Sequence, residues 1–274
     1  MTGKTPIINS RGDRLPYFFF DAMPETDFPL VYHYPELIPG ILRRRYKRFL
    51  ADIELNSGEM VTAHCPNTGP MTGVCELGAP VMLSKSDDPK RKLAYTWEMI
   101  QLQTPEPTWV GVNTALPNRV IKAMLLAKQI PELADHYDTV RPEVRYGIDN
   151  KSRIDFLLTK PGRSPFYVEV KNTTWTKGEM ALFPDTETTR GQKHLQELKD
   201  LLPDAQAVML YFINRADCNR FAPGDSKDPK YGKLFRQAIA AGVKILPCRF
   251  AVNPAGIRYL GLAPWEVAEA PSFL

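Results

Sequence analysis

Two short runs of alternating apolar and polar residues, 152–158 and 166–172, hold the side chains best suited to chemistry. A Pro-Gly turn separates them, so they predict the two antiparallel strands of a hairpin. Folding the hairpin about Gly162 places Asp155 opposite Glu169, with about 4.5–5.5 Å between their Cβ atoms. Two carboxylates that close repel each other, so one must hold a proton or both must share a cation.

Lys171 follows Glu169 on the same predicted face, one pleat further along the strand. Two acids and a lysine on one side of a sheet indicate a metal site with an ammonium group beside it. A lone Glu-x-Lys pair is more often a solvated strand surface, but Asp and Glu disfavour strands and here occupy two adjacent ones. The opposite face of the hairpin is predicted to hold apolar residues, which are Ile154, Phe156, Leu158, Phe166, Val168 and Val170.

Composition sets the broad class of this protein. At 274 residues and 43% hydrophobic content, the chain can form one large domain or two ordinary ones around a real core. It has no apolar run of about 18 residues and no secretory signal, since the apolar stretch 18–20 is too short. We therefore expect a cytoplasmic protein with no membrane partner. The net charge of +4 permits an anionic partner without demanding one.

The four cysteines form no C-x-x-C pair, so reduced thiols are expected. His64, Cys65 and Cys75 have a spacing that fits no common zinc module.

Changes in composition and periodicity along the chain predict three segments. Residues 1–39 are polar and interrupted by prolines, with aromatic patches, and indicate an N-terminal extension. Residues 40–113 contain short strands with Gly and Pro between them, among them an alternating strand over 49–55, and favour an OB-like β-barrel that binds nucleic acid. Residues 114–274 alternate between helical and strand patterns and predict an α/β domain with a mixed sheet flanked by helices.

Within the second of these segments lies a basic cluster without any acid. Aromatic residues interleave with its cations, as they do where a protein holds a phosphate backbone and stacks bases. The alternative is a solvated surface. The cluster consists of Arg43, Arg44, Arg45, Tyr46, Lys47 and Arg48. A second group, Lys90, Arg91 and Lys92, is diluted by neighbouring aspartates.

The third segment has the order helix, three strands, helix, strand. The first helix follows a candidate N-cap, Asn118, and the second begins near Thr188. An acid on the middle strand and Glu-x-Lys on the last strand of the three resemble the PD-(D/E)xK nuclease core.

Taken together, nine short motifs resemble the sugar fermentation stimulation protein family, SfsA. Each motif alone is weak, and the set is specific. The motifs are residues 45–52 (RYKRFLAD), 64–69 (HCPNTG), 71–73 (MTG), 90–92 (KRK), 112–114 (VNT), 152–156 (SRIDF), 168–172 (VEVKN), 183–185 (FPD) and 190–195 (RGQKHL).

The resemblance implies an OB-like N-terminal domain, a PD-(D/E)xK nuclease-like C-terminal domain and DNA binding of low sequence specificity. Asp155 and Glu169 would be metal carboxylates, Lys171 the catalytic lysine and Glu143 an additional acid. Ile154 stands where the motif has proline, which the chemistry does not require. The expected cofactor is Mg²⁺ or Mn²⁺, held by these acids and the Val170 carbonyl.

On the helix after the hairpin, Arg190, Lys193 and His194 are candidates to reach a phosphodiester, or they form an ordinary helix surface. Asp185 is either a second acid near the metal or the start of a turn. The leading hypothesis is a metal-dependent nuclease. The alternatives are a non-catalytic, low-specificity DNA-binding regulator of sugar metabolism and a small-ligand sensor. RNA as a partner, strandedness and a homo-oligomeric state stay open.

Overall fold

The computed structural model describes residues 25–147 and 151–266, which form a barrel and an α/β domain. A short 3-10 helix, Glu25–Asp27, comes first. The barrel holds the strands β2 to β7, and their neighbour β1 belongs to the other domain. These strands are β1 (Leu30–Tyr32), β2 (Leu37–Tyr46), β3 (Leu50–Leu55), β4 (Met60–His64), β5 (Pro80–Lys85), β6 (Tyr95–Gln103) and β7 (Pro107–Gly111).

The barrel strands follow the order β4-β3-β2-β5-β6-β7. β4 also pairs with β6 at Ala63 and His64, so the sheet curls back on itself. Alternation along the strands gives the barrel its own core, because every second side chain points inward. Leu42, Ala51 and Ile53 are fully buried there. The other strand pairs of this sheet are antiparallel and the β4–β6 pair is parallel, and the curled sheet agrees with the predicted OB-like barrel.

Two details of the barrel differ from the sequence prediction. The sequence pattern assigns no strand to the basic cluster, but most of it lies in β2, a long strand ending at Tyr46. Lys47 and Arg48 then adopt positive φ angles of 47° and 66° and turn the chain into β3. Phe49, predicted on the buried side of an alternating strand, therefore lies at the tip of this hairpin and is 46% exposed.

The α/β domain contains four helices and nine further strands among the described residues. These are α1 (Leu116–Leu126), α2 (Pro131–Ala134), β8 (Thr139–Tyr146), β9 (Ser152–Thr159), β10 (Phe166–Thr173), β11 (Trp175–Lys177), β12 (Met180–Phe183), α3 (Thr189–Asp200), β13 (Gln206–Ile213), β14 (Arg220–Pro223), α4 (Pro229–Ala241), β15 (Lys244–Asn253) and β16 (Gly256–Leu262).

Seven strands form the main sheet in the order β1-β16-β15-β13-β10-β9-β8. β13 lies between β10 and β15, parallel to both, and is buried on both faces, as its continuous apolar sequence predicts. The helix α1 packs on one face of the sheet, and α3 and α4 pack on the other. Gly242, in the left-handed conformation with φ 109°, ends α4 where the sequence predicts a stop.

The segment before residue 40 contributes to both domains where the structure describes it. β1 pairs with β16 at the edge of the main sheet, and β2 begins at Leu37. The first aromatic patch, Tyr17 to Phe20, lies outside the described residues.

A close backbone contact joins the two domains. The Gly111 N–H at the end of β7 donates to the Asn214 carbonyl, just after β13, at 3.0 Å. A Cβ at position 111 would lie 2.1 Å from the Asn214 Oδ1 atom, so only glycine fits there. Beyond this contact, β11, β12 and β14 form a small separate sheet.

Candidate metal-binding catalytic site

The register of the hairpin is the one that the sequence predicts. Val168 pairs with Phe156, and continuing this register places Glu169 opposite Asp155. The backbone ladder ends there because the Asp155 side chain enters it: Asp155 Oδ2 accepts the Val170 N–H at 2.7 Å. A carboxylate thus replaces a backbone carbonyl as the partner of β10, which fixes Asp155 beside Glu169.

The Ile154 side chain lies on the other face of the sheet from the one that the sequence predicts. Ile154 packs with Leu157 in the core beneath α3 and α4, whereas Phe156 packs in the core beneath α1. The alternation of β9 breaks between Ile154 and Phe156. Opposite this point, Pro142 of β8 has no N–H to donate, and Glu143 has a positive φ of 53°. An irregular ladder therefore twists β9 at Asp155.

Asp155 is held by a residue to which the sequence pattern gives another role. Asn118 is predicted to cap α1, but the N-cap is Ala115, and the Asn118 amide donates to Asp155 Oδ1 at 2.7 Å. Burial and the nearby Glu169 raise the pKa of Asp155 to about 6, and the Val170 N–H, Lys171 and Asn118 counteract this rise only partly. Asn118 carries no sequence signal that could reveal this contact, because the contact depends on how α1 packs on the sheet.

Glu169 is 3% exposed and has one paired and one unpaired oxygen. Its Oε1 atom accepts from Lys171 Nζ at 2.7 Å and from His194 Nδ1. Its Oε2 atom is buried and has no hydrogen-bond partner among the described residues. Burial raises the pKa of Glu169, but Lys171 and His194 outweigh it and the net shift is downward. Glu169 is therefore an anion with a free coordinating oxygen.

His194 orients Glu169 instead of facing a phosphodiester. It is 5% exposed, so the prediction that it contacts nucleic acid needs correction. With its Nδ1–H donated to Glu169, its Nε2 atom accepts from Arg190 Nε at 3.4 Å. Arg190 itself is exposed at the start of α3 and could still meet a phosphate.

Lys193 belongs to a second polar cluster that sequence reasoning missed. Its Nζ atom donates to Ser152 Oγ at 2.9 Å and lies 3.4 Å from Glu197. Ser152 and Tyr146 both donate to Glu197. Burial and the charge of Glu169 raise the pKa of Tyr146, so its neutral hydroxyl stands beside the acid pair. The Lys193 side chain is 57% exposed and ties α3 to the start of β9.

Glu143, the predicted additional acid, is exposed and makes no hydrogen bond or ion pair to another described residue. Within the described ranges, no three His, Cys, Asp or Glu side chains gather closely enough to hold a metal ion, His64, Cys65 and Cys75 included. The site therefore offers two carboxylates. That donor set suits a hard cation which keeps several waters, and the unpaired Glu169 Oε2 fits such an ion.

The predicted nucleic-acid-binding cations have unequal roles. The Arg45 guanidinium donates to the carbonyls of Arg48, Asn67 and Gly69 at 2.8–3.0 Å, so it stabilises the loop after β4 and is not a surface contact. Arg48 adds a bond to the Thr68 carbonyl at 2.8 Å.

The other cluster members are more accessible. Arg43 pairs with Glu54 at 2.7 Å, and exposed Arg44 lies over the Tyr46 ring at 4.8 Å. Tyr46 is held by a bond from its hydroxyl to Asp52. The remaining candidates, which are Lys47, Lys90, Arg91 and Lys92, are exposed. Arg91 also donates to the Thr96 hydroxyl.

No helix in the described part of the chain has the length and hydrophobicity needed to span a bilayer.

Comparison with known proteins agrees with this architecture. The family description "SfsA N-terminal OB domain" matches residues 44–112, and "Sugar fermentation stimulation protein RE domain" matches residues 115–256. A sugar fermentation stimulation protein homolog of Picosynechococcus is 85% identical over 247 residues, which cover 90% of this chain and 98% of that protein. A homolog of Synechocystis is 70% identical, over 85% of this chain and 97% of that protein.

Among solved structures, Pyrococcus furiosus SfsA in complex with Ca²⁺ is similar, with a TM-score of 0.78 and 24% identity. The match covers 87% of this chain and all of that one, and it shows a shared fold. Both the OB domain and the mixed α/β class are thereby confirmed. This chain belongs to the sugar fermentation stimulation protein family, SfsA.

Proposed function

We propose that this protein is a divalent-metal-dependent nuclease that hydrolyses phosphodiester bonds in nucleic acid. The observation that carries the proposal is the buried, unpaired Oε2 atom of Glu169 next to Asp155. An unpaired anionic oxygen inside a protein is costly unless a cation or donor meets it. Lys171 beside the pair supplies the ammonium group that the nuclease core requires.

Asp155 and Glu169 would hold the ion, with the Val170 carbonyl as the third predicted ligand. Mg²⁺ and Mn²⁺ prefer such oxygen ligands, and Mg²⁺ sites commonly use one or two carboxylates together with substrate phosphates. The similar Pyrococcus furiosus protein forms a complex with Ca²⁺, which supports a divalent site in this fold. When bound, such an ion lowers the pKa of a coordinated water and offsets the charge of the phosphate.

The side chains of the protein perform the positioning. Asn118 and the Val170 N–H fix both oxygens of Asp155, and His194 fixes Glu169. Partners of this kind orient ligating groups and raise metal affinity. Lys171 Nζ is paired with Glu169, and its side chain keeps 13% exposure. From there it can donate to a phosphoryl oxygen as negative charge develops in the transition state.

A second candidate is a non-catalytic DNA-binding regulator of low sequence specificity. The exposed cations of the barrel, Arg44, Lys47 and Lys90 to Lys92, favour nucleic-acid binding in either case. Under this alternative, the acid pair would bind metal only to stabilise the fold. The experiment that separates the two candidates also shows whether the protein binds DNA or RNA, and whether it binds single or double strands.

Incubation with labelled single- and double-stranded DNA and RNA, in Mg²⁺, Mn²⁺, Ca²⁺ or EDTA, separates the two candidates. The test variants are Asp155→Asn and Lys171→Met, and the matched control is Glu59→Gln, a surface acid on the barrel. We expect metal-dependent cleavage by the parent and by the control, with a loss of at least about a hundredfold in both test variants. Binding by all four proteins without cleavage in any metal would instead establish the regulator.

A further inference from the structure

A cleft of about 170 Å³ lies between the barrel and the α/β domain. It opens at the carboxyl end of β10, where Asn172 directly follows Lys171. Ligand sites occur preferentially at such junctions between domains. Its lining includes Asn67, Asn172, Thr174, Trp175, Phe183 and Asp185.

The cleft has the size of one aromatic ring. A cavity of about 150 Å³ accommodates benzene, so 170 Å³ gives room for a single planar heterocycle. Trp175 and Phe183 supply aromatic surface in the lining. Stacking on such side chains is available to every nucleobase, because each has a π face.

The polar groups of the cleft suit the edge of a base. Asn172 Oδ1 accepts from Asn214 at 2.9 Å, and Asn67 Oδ1 accepts from the Gly69 N–H at 2.9 Å. Each amide therefore directs its oxygen into the protein and keeps its NH₂ group as a donor. Asp185 adds a carboxylate acceptor, and it also accepts a bond from the Thr72 N–H at 3.4 Å.

A cation stands near this cleft. The exposed Lys227 Nζ lies 5.9 Å from the centre of the Trp175 ring, and its charge acts on Asp185. A ring-sized slot with donors, an acceptor and a nearby ammonium group matches a nucleotide, in which a polar heterocycle is linked to an anionic phosphate.

We propose that the cleft binds one unpaired nucleobase of the nucleic-acid strand whose backbone meets the Asp155–Glu169 site. This inference rests on the proposed function, which supplies the nucleic acid. It adds the place on the protein where one base of the strand is bound. A paired base cannot enter, because its edge and both faces are occupied in the duplex. The protein therefore prefers single strands, loops and frayed ends, and Asp185 contacts the base and not the metal.

Blocking the rim of the cleft tests this proposal. Thr114 lines the cleft, is exposed, and donates to the Pro66 carbonyl at 2.9 Å. Thr114→Trp places a ring in the opening, whereas the matched control Thr114→Ser retains the hydroxyl and its bond. The probes are a single-stranded oligonucleotide with one 2-aminopurine and a blunt duplex of equal length, both in EDTA so that cleavage does not interfere.

For the parent and Thr114→Ser we expect quenching of the 2-aminopurine fluorescence on binding. Thr114→Trp should bind the single strand about tenfold more weakly, which is the order of loss expected when one base no longer stacks on an aromatic side chain. Its duplex affinity and thermal unfolding midpoint should stay unchanged. That set of results supports the cleft as a base-binding site.

Three results overturn the proposal. Unchanged single-strand affinity in Thr114→Trp removes the cleft from the binding surface. An equal loss for duplex and single strand shows a contact with the backbone instead of a base. Absence of binding by the parent to either probe, both in EDTA and in Ca²⁺, removes the proposed function and this inference together, whereas binding without cleavage in Mg²⁺ or Mn²⁺ removes only the nuclease.

Discussion

At the residue scale, the site is an acid pair whose members are held in different ways. Burial and the charge of Glu169 raise the pKa of Asp155 to about 6, and the two hydrogen bonds that Asp155 accepts lower it only in part. Glu169 shares one oxygen with Lys171 and His194 and leaves the other unpaired. The unequal pKa values mean that the proton of the metal-free pair belongs to Asp155.

This assignment predicts how stability depends on pH in the metal-free protein. Between about pH 4 and pH 6 the folded state keeps a proton on Asp155 that the unfolded state has lost, so raising the pH destabilises the fold. The contribution of Asp155 to the free energy of unfolding should fall by up to about 3 kcal/mol across this window. Asp155→Asn should lose that component.

Urea unfolding at closely spaced pH values, in EDTA, measures the difference between parent and variant. Glu59→Gln serves as the control because its carboxylate is exposed. A difference between parent and Asp155→Asn that stays constant from pH 4 to pH 7 would show that Asp155 titrates normally and is not coupled to Glu169.

The sequence predicts the chemistry of the acid pair but not the side chains that hold the two acids in position. Alternation and the Pro-Gly turn are local, so the register opposing Asp155 and Glu169 can be predicted from residue types. Asn118 and His194 reach the acids from α1 and α3, and their contacts depend on how those helices pack. Arg45 resembles a surface cation in the sequence for the same reason, because the carbonyls that it binds lie in a distant loop.

At the element scale, the length of an element decides whether the sequence reveals it. The sequence pattern predicts a buried strand over 207–213 and helices over 188–202 and 231–241, and the observed β13, α3 and α4 lie close to these bounds. The strands β1, β11 and β14 have three or four residues, too few to show a period, and the sequence does not reveal them. Their place is set by partners elsewhere in the chain.

The contact between β7 and the end of β13 predicts a severe effect of one methyl group. Asn214 is 1% exposed and is held by its bond to Asn172, so it cannot move away from a Cβ at position 111. Gly111→Ala should destabilise the protein by about 1–3 kcal/mol through overpacking. The double variant Gly111→Ala with Asn214→Ala should recover part of that loss.

Thermal and urea unfolding of the parent, both single variants and the double variant give the coupling free energy. Gly58→Ala is the comparison, because nothing lies within 4 Å of a Cβ there and its cost comes from the positive φ of 83° alone. Asn214→Ala should therefore rescue the substitution at position 111 and not the one at position 58. Additive effects of Gly111→Ala and Asn214→Ala would refute the proposed clash.

At the scale of the whole molecule, the barrel presents cations to solvent on the same chain that holds the acid pair. If Arg44 and Lys47 contact phosphates, the plot of log binding constant against log salt concentration for duplex DNA has a negative slope to which both contribute. The double variant Arg44→Ala with Lys47→Ala should make this slope less steep by about 1.8. Arg45→Ala should instead reduce stability and leave the slope intact, because its guanidinium bonds carbonyls within the barrel.

Fluorescence anisotropy titrations between low and moderate salt supply these slopes. The exposed Lys177, on the small sheet of the other domain, provides the comparison variant Lys177→Ala. Equal slopes for the parent and the double variant would place nucleic acid on another surface.

If Asp155 and Glu169 jointly bind a divalent cation, a crystal grown with Mn²⁺ should reveal the ion between them. We expect an anomalous-difference peak within about 2.0–2.4 Å of an oxygen of each carboxylate, with Glu169 Oε2 among the ligands. The peak should be absent from Asp155→Asn. A structure at saturating Mn²⁺ with no peak between these acids would show that they do not form a metal site.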